Sequence, residues 1–102
     1  IMNLRDKEKN IIISLAKKYI KTPHEIWFYG SRVDGSSHDT SDLDLVIRAH
    51  NLQALPCDEF IEFKKNISQS NIPIIVQILD WGRIPSSFQE NILKKYEVAT
   101  SQ

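Results

Sequence analysis

Two short segments carry the residues that could do chemistry: Tyr29-Gly30-Ser31-Arg32-Val33-Asp34-Gly35, and Asp42-Leu43-Asp44, which begins after ten residues beyond Ser31. The first reads as a glycine-serine turn able to hold a triphosphate. The second reads as a strand start with two carboxylates. Side chains alternate along a strand, so Asp42 and Asp44 share one face while Leu43 takes the other. Neighbouring carboxylates repel unless a cation lies between them. Carboxylate oxygens together with phosphate oxygens and water suit Mg²⁺, with Mn²⁺ as the other candidate. The two segments together propose a metal-dependent site for a nucleoside triphosphate.

These residues need elements to position them. Leu4 to Lys21 places apolar residues at Leu4, Ile11, Ile12, Leu15, Ala16, Tyr19 and Ile20, which is helical spacing with one buried stripe. Thr22-Pro23 stops that helix, because a residue before proline avoids helical geometry. Glu25 to Tyr29 predicts a buried strand that ends at Gly30-Ser31. Residues 36–41 are polar and read as a loop, and Asp42 to Arg48 reads as the second strand. Pro56 to Ser68 predicts a helix on the spacing of Phe60, Ile61, Phe63 and Ile67. Ile72 to Leu79 predicts a third strand, and Pro85 with Ser86-Ser87 opens a last helix through Phe88, Ile92, Leu93 and Tyr96. The expectation is an α/β (α+β) domain, a small mixed sheet flanked by helices, occupying residues 1–102 as one unit.

The totals narrow the function. Lys+Arg and Asp+Glu both number 13, so a net charge of +0 gives no general attraction to nucleic acid or membrane. The single cysteine, Cys57, excludes an internal disulfide and a cysteine zinc cluster and suits a reducing compartment. The longest apolar runs, Ile11-Ile12-Ile13 and Ile72 to Leu79, are far short of the roughly 20 residues of a membrane helix. No signal-peptide pattern stands at the amino end, so a cytoplasmic protein is expected. His24, His38 and His50 lack metal-ligand spacing and read as surface residues, with His38 nearest the site. The lysine pairs 17–18, 64–65 and 94–95 read as solvated helix faces. Asp34, Asp39 and Asp80 read as solvated or capping acids. Trp27 and Phe28 read as core, and Trp81 as core, nucleotide contact or interface.

Gly30-Ser31, the ten-residue gap and Asp42-Leu43-Asp44 resemble the signature of the nucleotidyltransferase superfamily that includes DNA polymerase β, most closely its minimal single-domain bacterial branch. The resemblance extends through Gly35, Ser41-Asp42-Leu43-Asp44-Leu45, Leu79-Asp80-Trp81, Phe88 and Ile92-Leu93, over roughly residues 26 to 98. It implies a polymerase β-like fold and transfer of a nucleoside monophosphate, from ATP above all, to a hydroxyl, with pyrophosphate leaving. It implies that Gly30, Ser31 and Arg32 bind the nucleotide and that Asp42 and Asp44 are catalytic and hold the metal. One departure stands out. The family carries a third carboxylate on the neighbouring strand, and alignment of residues 74–81 puts Gln77 there. Glutamine is a neutral ligand that cannot take a proton. Asp80 lies on the opposite parity and would replace it only through a bulge.

The resemblance also implies a partner, a separate helical HEPN-type protein in a toxin–antitoxin pair, with this chain as the antitoxin. Two readings follow: an active transferase acting on a partner or substrate hydroxyl, or a catalytically weakened nucleotide-binding subunit that works by complex formation, alone or as a homo- or hetero-oligomer. A third reading, a nucleic-acid-modifying enzyme, is disfavoured by the neutral composition.

Overall fold

A computed structural model describes residues 6–34 and 42–99 of the chain. Helix α1 (Asp6–Tyr19) leads to β1 (His24–Tyr29), a one-turn helix α2 (Ser31–Asp34), β2 (Leu43–Ala49), α3 (Cys57–Ser68) and β3 (Val76–Asp80). A 3-10 turn (Trp81–Arg83), α4 (Ser86–Lys94) and β4 (Glu97–Val98) complete the order. The four strands form one mixed sheet in the order β3-β2-β1-β4. β1 runs antiparallel to β2 and β4, and β2 runs parallel to β3.

The sheet is covered on both faces, which explains the near-continuous apolar run of its interior strands. Ile26, Phe28, Leu43, Leu45, Ile47, Ala49 and Ile78 lie on one face against Ile12 and Ala16 of α1 and Phe63 and Ile67 of α3. On the other face Trp27 and Val46 pack with Trp81 and with Ile92 of α4, flanked by Tyr29, Leu79 and Ile84. Glu59 of α3 ties the α1–β1 turn to the first layer: its carboxylate accepts from the Lys21 and Thr22 amides and the Thr22 hydroxyl at 3.0–3.1 Å.

The mixed α/β architecture agrees with the sequence expectation, with several differences: α1 ends at Tyr19 rather than Lys21, and α4 at Lys94, short of Tyr96. The third strand begins at Val76 rather than Ile72, because residues 71–75 form an irregular approach. Asp42 stands one residue ahead of β2 rather than inside it. A fourth strand, Glu97–Val98, and the 3-10 turn had no expectation. Leu4 and the polar loop at 36–41 lie outside the described residues. Among those described, no helix is long and apolar enough to cross a membrane.

Candidate functional site

The sheet register builds the site. Asp44 is opposite Tyr29 on β1 and opposite Gln77 on β3, so three side chains form one row across three strands. By strand parity this row shares the face of Trp27, Val46 and Leu79, the face that α4 covers further along the sheet. Asp42, two residues earlier on the same parity, is exposed, and its carboxylate accepts a hydrogen bond from Gln77 Nε2 at 3.2 Å. Gln77 therefore lies beside both aspartates.

Gly30 closes the other side of Asp44. Its φ of +82° is in the left-handed region, which glycine adopts at no steric cost. A Cβ built on Gly30 would collide with the Asp44 carboxylate, lying 3.2 Å from its Cγ and 3.4 Å from its Cβ. The main chain thus comes as close to that carboxylate as a main chain can. The Gly30 carbonyl accepts from Val33 N at 3.0 Å, folding the chain at once into α2.

Electrostatics mark the same spot. Burial, and then the negative charge of Asp42, raise the Asp44 pKa above the ordinary carboxylate value. Burial, and then the Asp44 charge, push the Tyr29 hydroxyl up to about 12, so it stays protonated at any ordinary pH. An acid whose ionisation is opposed by burial and by a second carboxylate, next to a position without a side chain, is part of a donor set suited to a divalent cation. Among the described residues no group of three or more His, Cys, Asp or Glu converges, so the two carboxylates have an amide as their third neighbour.

Other sequence expectations fall out as follows. Arg32 is 4% exposed and is engaged by an interaction within the protein, so it is not a free surface cation. Ser31 is the first residue of α2. The Ser31 hydroxyl, the Asp34 carboxylate and residues 35–41, with Gly35, His38 and Asp39, lie outside the described part of the structure.

Asp80 keeps regular register opposite Ile47, so no bulge turns it toward the pair. It is buried and accepts from Leu55 N at 2.9 Å, Gly82 N at 3.2 Å and Arg83 Nε at 3.1 Å, which makes it a capping acid and not a solvated one. Trp81 is core. His24 Nδ1 donates to Thr22 O (2.7 Å) far along β1 from the row, and His50 is exposed. Sequence reasoning passed over Tyr29 as a site residue, because parity along each strand does not give the register that sets Tyr29 opposite Asp44. It also passed over α4, whose Phe88, Asn91 and Ile92 recur at helical spacing and line a cleft with Gly30.

The family model described as Polymerase beta, Nucleotidyltransferase matches residues 10–102. A curated relative, the probable protein adenylyltransferase MntA of Haemophilus influenzae (strain ATCC 51907 / DSM 11121 / KW20 / Rd), is 32% identical over 98 residues, 95% of this chain and 82% of its own. Among solved structures, a toxin–antitoxin crystallised with AMP-PNP superposes with a TM-score of 0.73 at 18% identity, over 97% of this chain and 75% of that one. A complex of tri-AMPylated Shewanella oneidensis HEPN toxin with MNT antitoxin gives a TM-score of 0.70 at 15% identity, over 97% and 74%. At such identities the two structural likenesses speak for the fold.

Proposed function

We infer that this chain, which belongs to the Polymerase beta, Nucleotidyltransferase family, binds a nucleoside triphosphate with a divalent cation at Asp42 and Asp44 and transfers its nucleotidyl group to a hydroxyl. The observation that carries the reading is the half-buried Asp44 carboxylate, its pKa raised by burial and by Asp42 and lying against the side-chain-free Gly30. Asp42 and Asp44 would hold Mg²⁺ or Mn²⁺, which when bound neutralises charge on the phosphate oxygens. Gly30, with Ser31 after it, leaves room for a phosphate to reach the main chain. In the reaction the acceptor oxygen bonds to the α-phosphorus, the bond from that phosphorus to the bridging oxygen breaks, and pyrophosphate leaves.

The relative's name, probable protein adenylyltransferase, supports ATP as donor and a protein side chain as acceptor. The HEPN toxin and MNT antitoxin of the structural neighbour support a separate helical HEPN-type partner, with this chain as the antitoxin. The acceptor's proton cannot go to Gln77, whose amide has no basic site. It goes to solvent or to a base that the acceptor brings. A neutral chain without a basic excess suits a protein acceptor better than a nucleic acid.

The Gln77–Asp42 hydrogen bond favours a second reading, in which the site holds nucleotide and acts chiefly through complex formation. Incubation with labelled ATP and Mg²⁺, with and without the helical partner, separates the two. Label on the partner that disappears in Asp42→Asn supports transfer. Mg²⁺-dependent ATP binding without label, together with a large gain of transfer in Gln77→Asp, supports the binding subunit. Metal-dependent binding that survives Asp42→Asn with Asp44→Asn refutes both.

A further inference from the structure

Asp44 sits in the middle of its row, and its two sides differ. On the β3 side stands only the exposed Gln77 on an edge strand. On the β1 side a cleft of about 280 Å³ opens between the end of β1 and α4, lined by Tyr29, Gly30, Phe88, Asn91, Ile92 and the two lysines 94 and 95. Its size is at the small end of ligand pockets, and its make-up is theirs: an apolar lining with a few polar groups. Phe88 meets Tyr29 edge to face, with centroids 6.1 Å apart and planes at 89°, yet remains 39% exposed. No hydrogen bond or ion pair with the described residues occupies the Asn91 amide or the Lys94 and Lys95 ammonium groups.

We propose that this cleft is the nucleoside subsite: Phe88 and Tyr29 hold the base by ring contact, and Asn91 reads its polar edge. The inference rests on the reading of Asp42, Asp44 and Gly30 given above and extends it to residues of α4. Gly30 belongs to both the cleft and the aspartate pair, so phosphates lying over Gly30 place the ribose and base on one side or the other. The α4 side offers aromatic rings, which stack any base, and an amide, which can donate and accept at once. Lys94 and Lys95 at its mouth give the cleft a positive potential that suits an anionic ligand. The β3 side offers none of these and lies at an open sheet edge, which leaves it to the acceptor. Gln77 then faces the acceptor rather than the nucleotide.

Calorimetric titration of the full chain with ATP, GTP and inorganic tripolyphosphate, each with Mg²⁺, tests this. The wild-type protein is expected to bind ATP at least tenfold more tightly than tripolyphosphate. Phe88→Ala is expected to weaken ATP about tenfold while leaving tripolyphosphate within twofold, and Phe88→Leu, which keeps apolar bulk in α4, to lose most of the same increment. Asn91→Ala is expected to shift the ATP-to-GTP affinity ratio. Equal wild-type affinity for ATP and tripolyphosphate overturns the nucleoside subsite and leaves the metal-phosphate reading standing. So does a Phe88→Ala effect that is the same for both ligands or absent from both. An unchanged ATP-to-GTP ratio in Asn91→Ala overturns the role of that amide. A wild-type protein that binds neither ligand refutes the metal-phosphate reading, and this inference with it.

Discussion

Replacing Asp44 by asparagine removes one of two like charges while keeping the side chain's shape. Residues two apart on an extended chain are roughly 7 Å apart. Two unit charges at that distance repel by about 0.6 kcal/mol in bulk water and about 2.4 kcal/mol at an effective dielectric of 20. Asp44 is only half-buried and Asp42 is exposed, so solvent screening holds the value near the lower end, about 1 kcal/mol. Among the described residues the Asp44 side chain has no hydrogen bond to offset this, whereas Asp42 accepts from Gln77. Without divalent cation, Asp44→Asn should therefore be the more stable protein, melting about 4–8 °C above wild type for a domain of this size. The order should reverse when a cation is added. At a Mg²⁺ concentration ten times its Kd, binding stabilises wild type by about 1.4 kcal/mol, and the variant gains little of it. Thermal melts in a chelator and in Mg²⁺, with ionic strength matched by NaCl, read both halves. A variant that melts below wild type in the chelator would mean that the carboxylate is structural, and one that keeps the full Mg²⁺ response would mean that Asp44 is not a ligand.

Thermal melts and urea unfolding check three further outcomes. Gly30→Ala imposes a side chain on a left-handed φ of +82° and on the Asp44 carboxylate; it should cost at least about 1 kcal/mol and abolish the Mg²⁺ response. Asp80→Ala leaves the buried Leu55 N–H unpartnered and removes the ion-pair partner of Arg83, which keeps its bond to Leu55 O; a loss of about 3 kcal/mol is expected in urea unfolding. The Arg48 guanidinium lies 4.6 Å from the Trp27 ring and 4.8 Å from the Trp81 ring, with Trp27 stacked on Tyr96 at 3.9 Å. Arg48→Ala should cost about 1–2 kcal/mol, while Arg48→Met, which keeps the stem and removes a buried Nε that has no hydrogen-bond partner among the described residues, should fall between the two.

What could be read in the sequence was what strand parity and local backbone chemistry decide. Asp42 and Asp44 share a face because they are two apart, Gly30 turns because glycine adopts positive φ without steric cost, and Gln77 meets them because a parallel neighbour in regular register keeps its own parity. Tertiary partners could not be read this way. Asp80 stands at a strand end, where an acid is normally wet; what buries it is the Leu55 amide, supplied by a segment 25 residues earlier. β4 is two residues long and has no alternation to announce it; it exists because β1 presents an open edge to Trp27 and Phe28's partners. The α4 contribution is the instructive case. Residues 88, 91 and 92 announce a helix face by their spacing, but not which part of the sheet that face covers. Trp27, Val46, Trp81 and Ile92 decide that. By seating α4 over the sheet beyond Tyr29, they leave Phe88 and Asn91 beside Gly30, so the packing of one layer sets where a ligand can lie against the other.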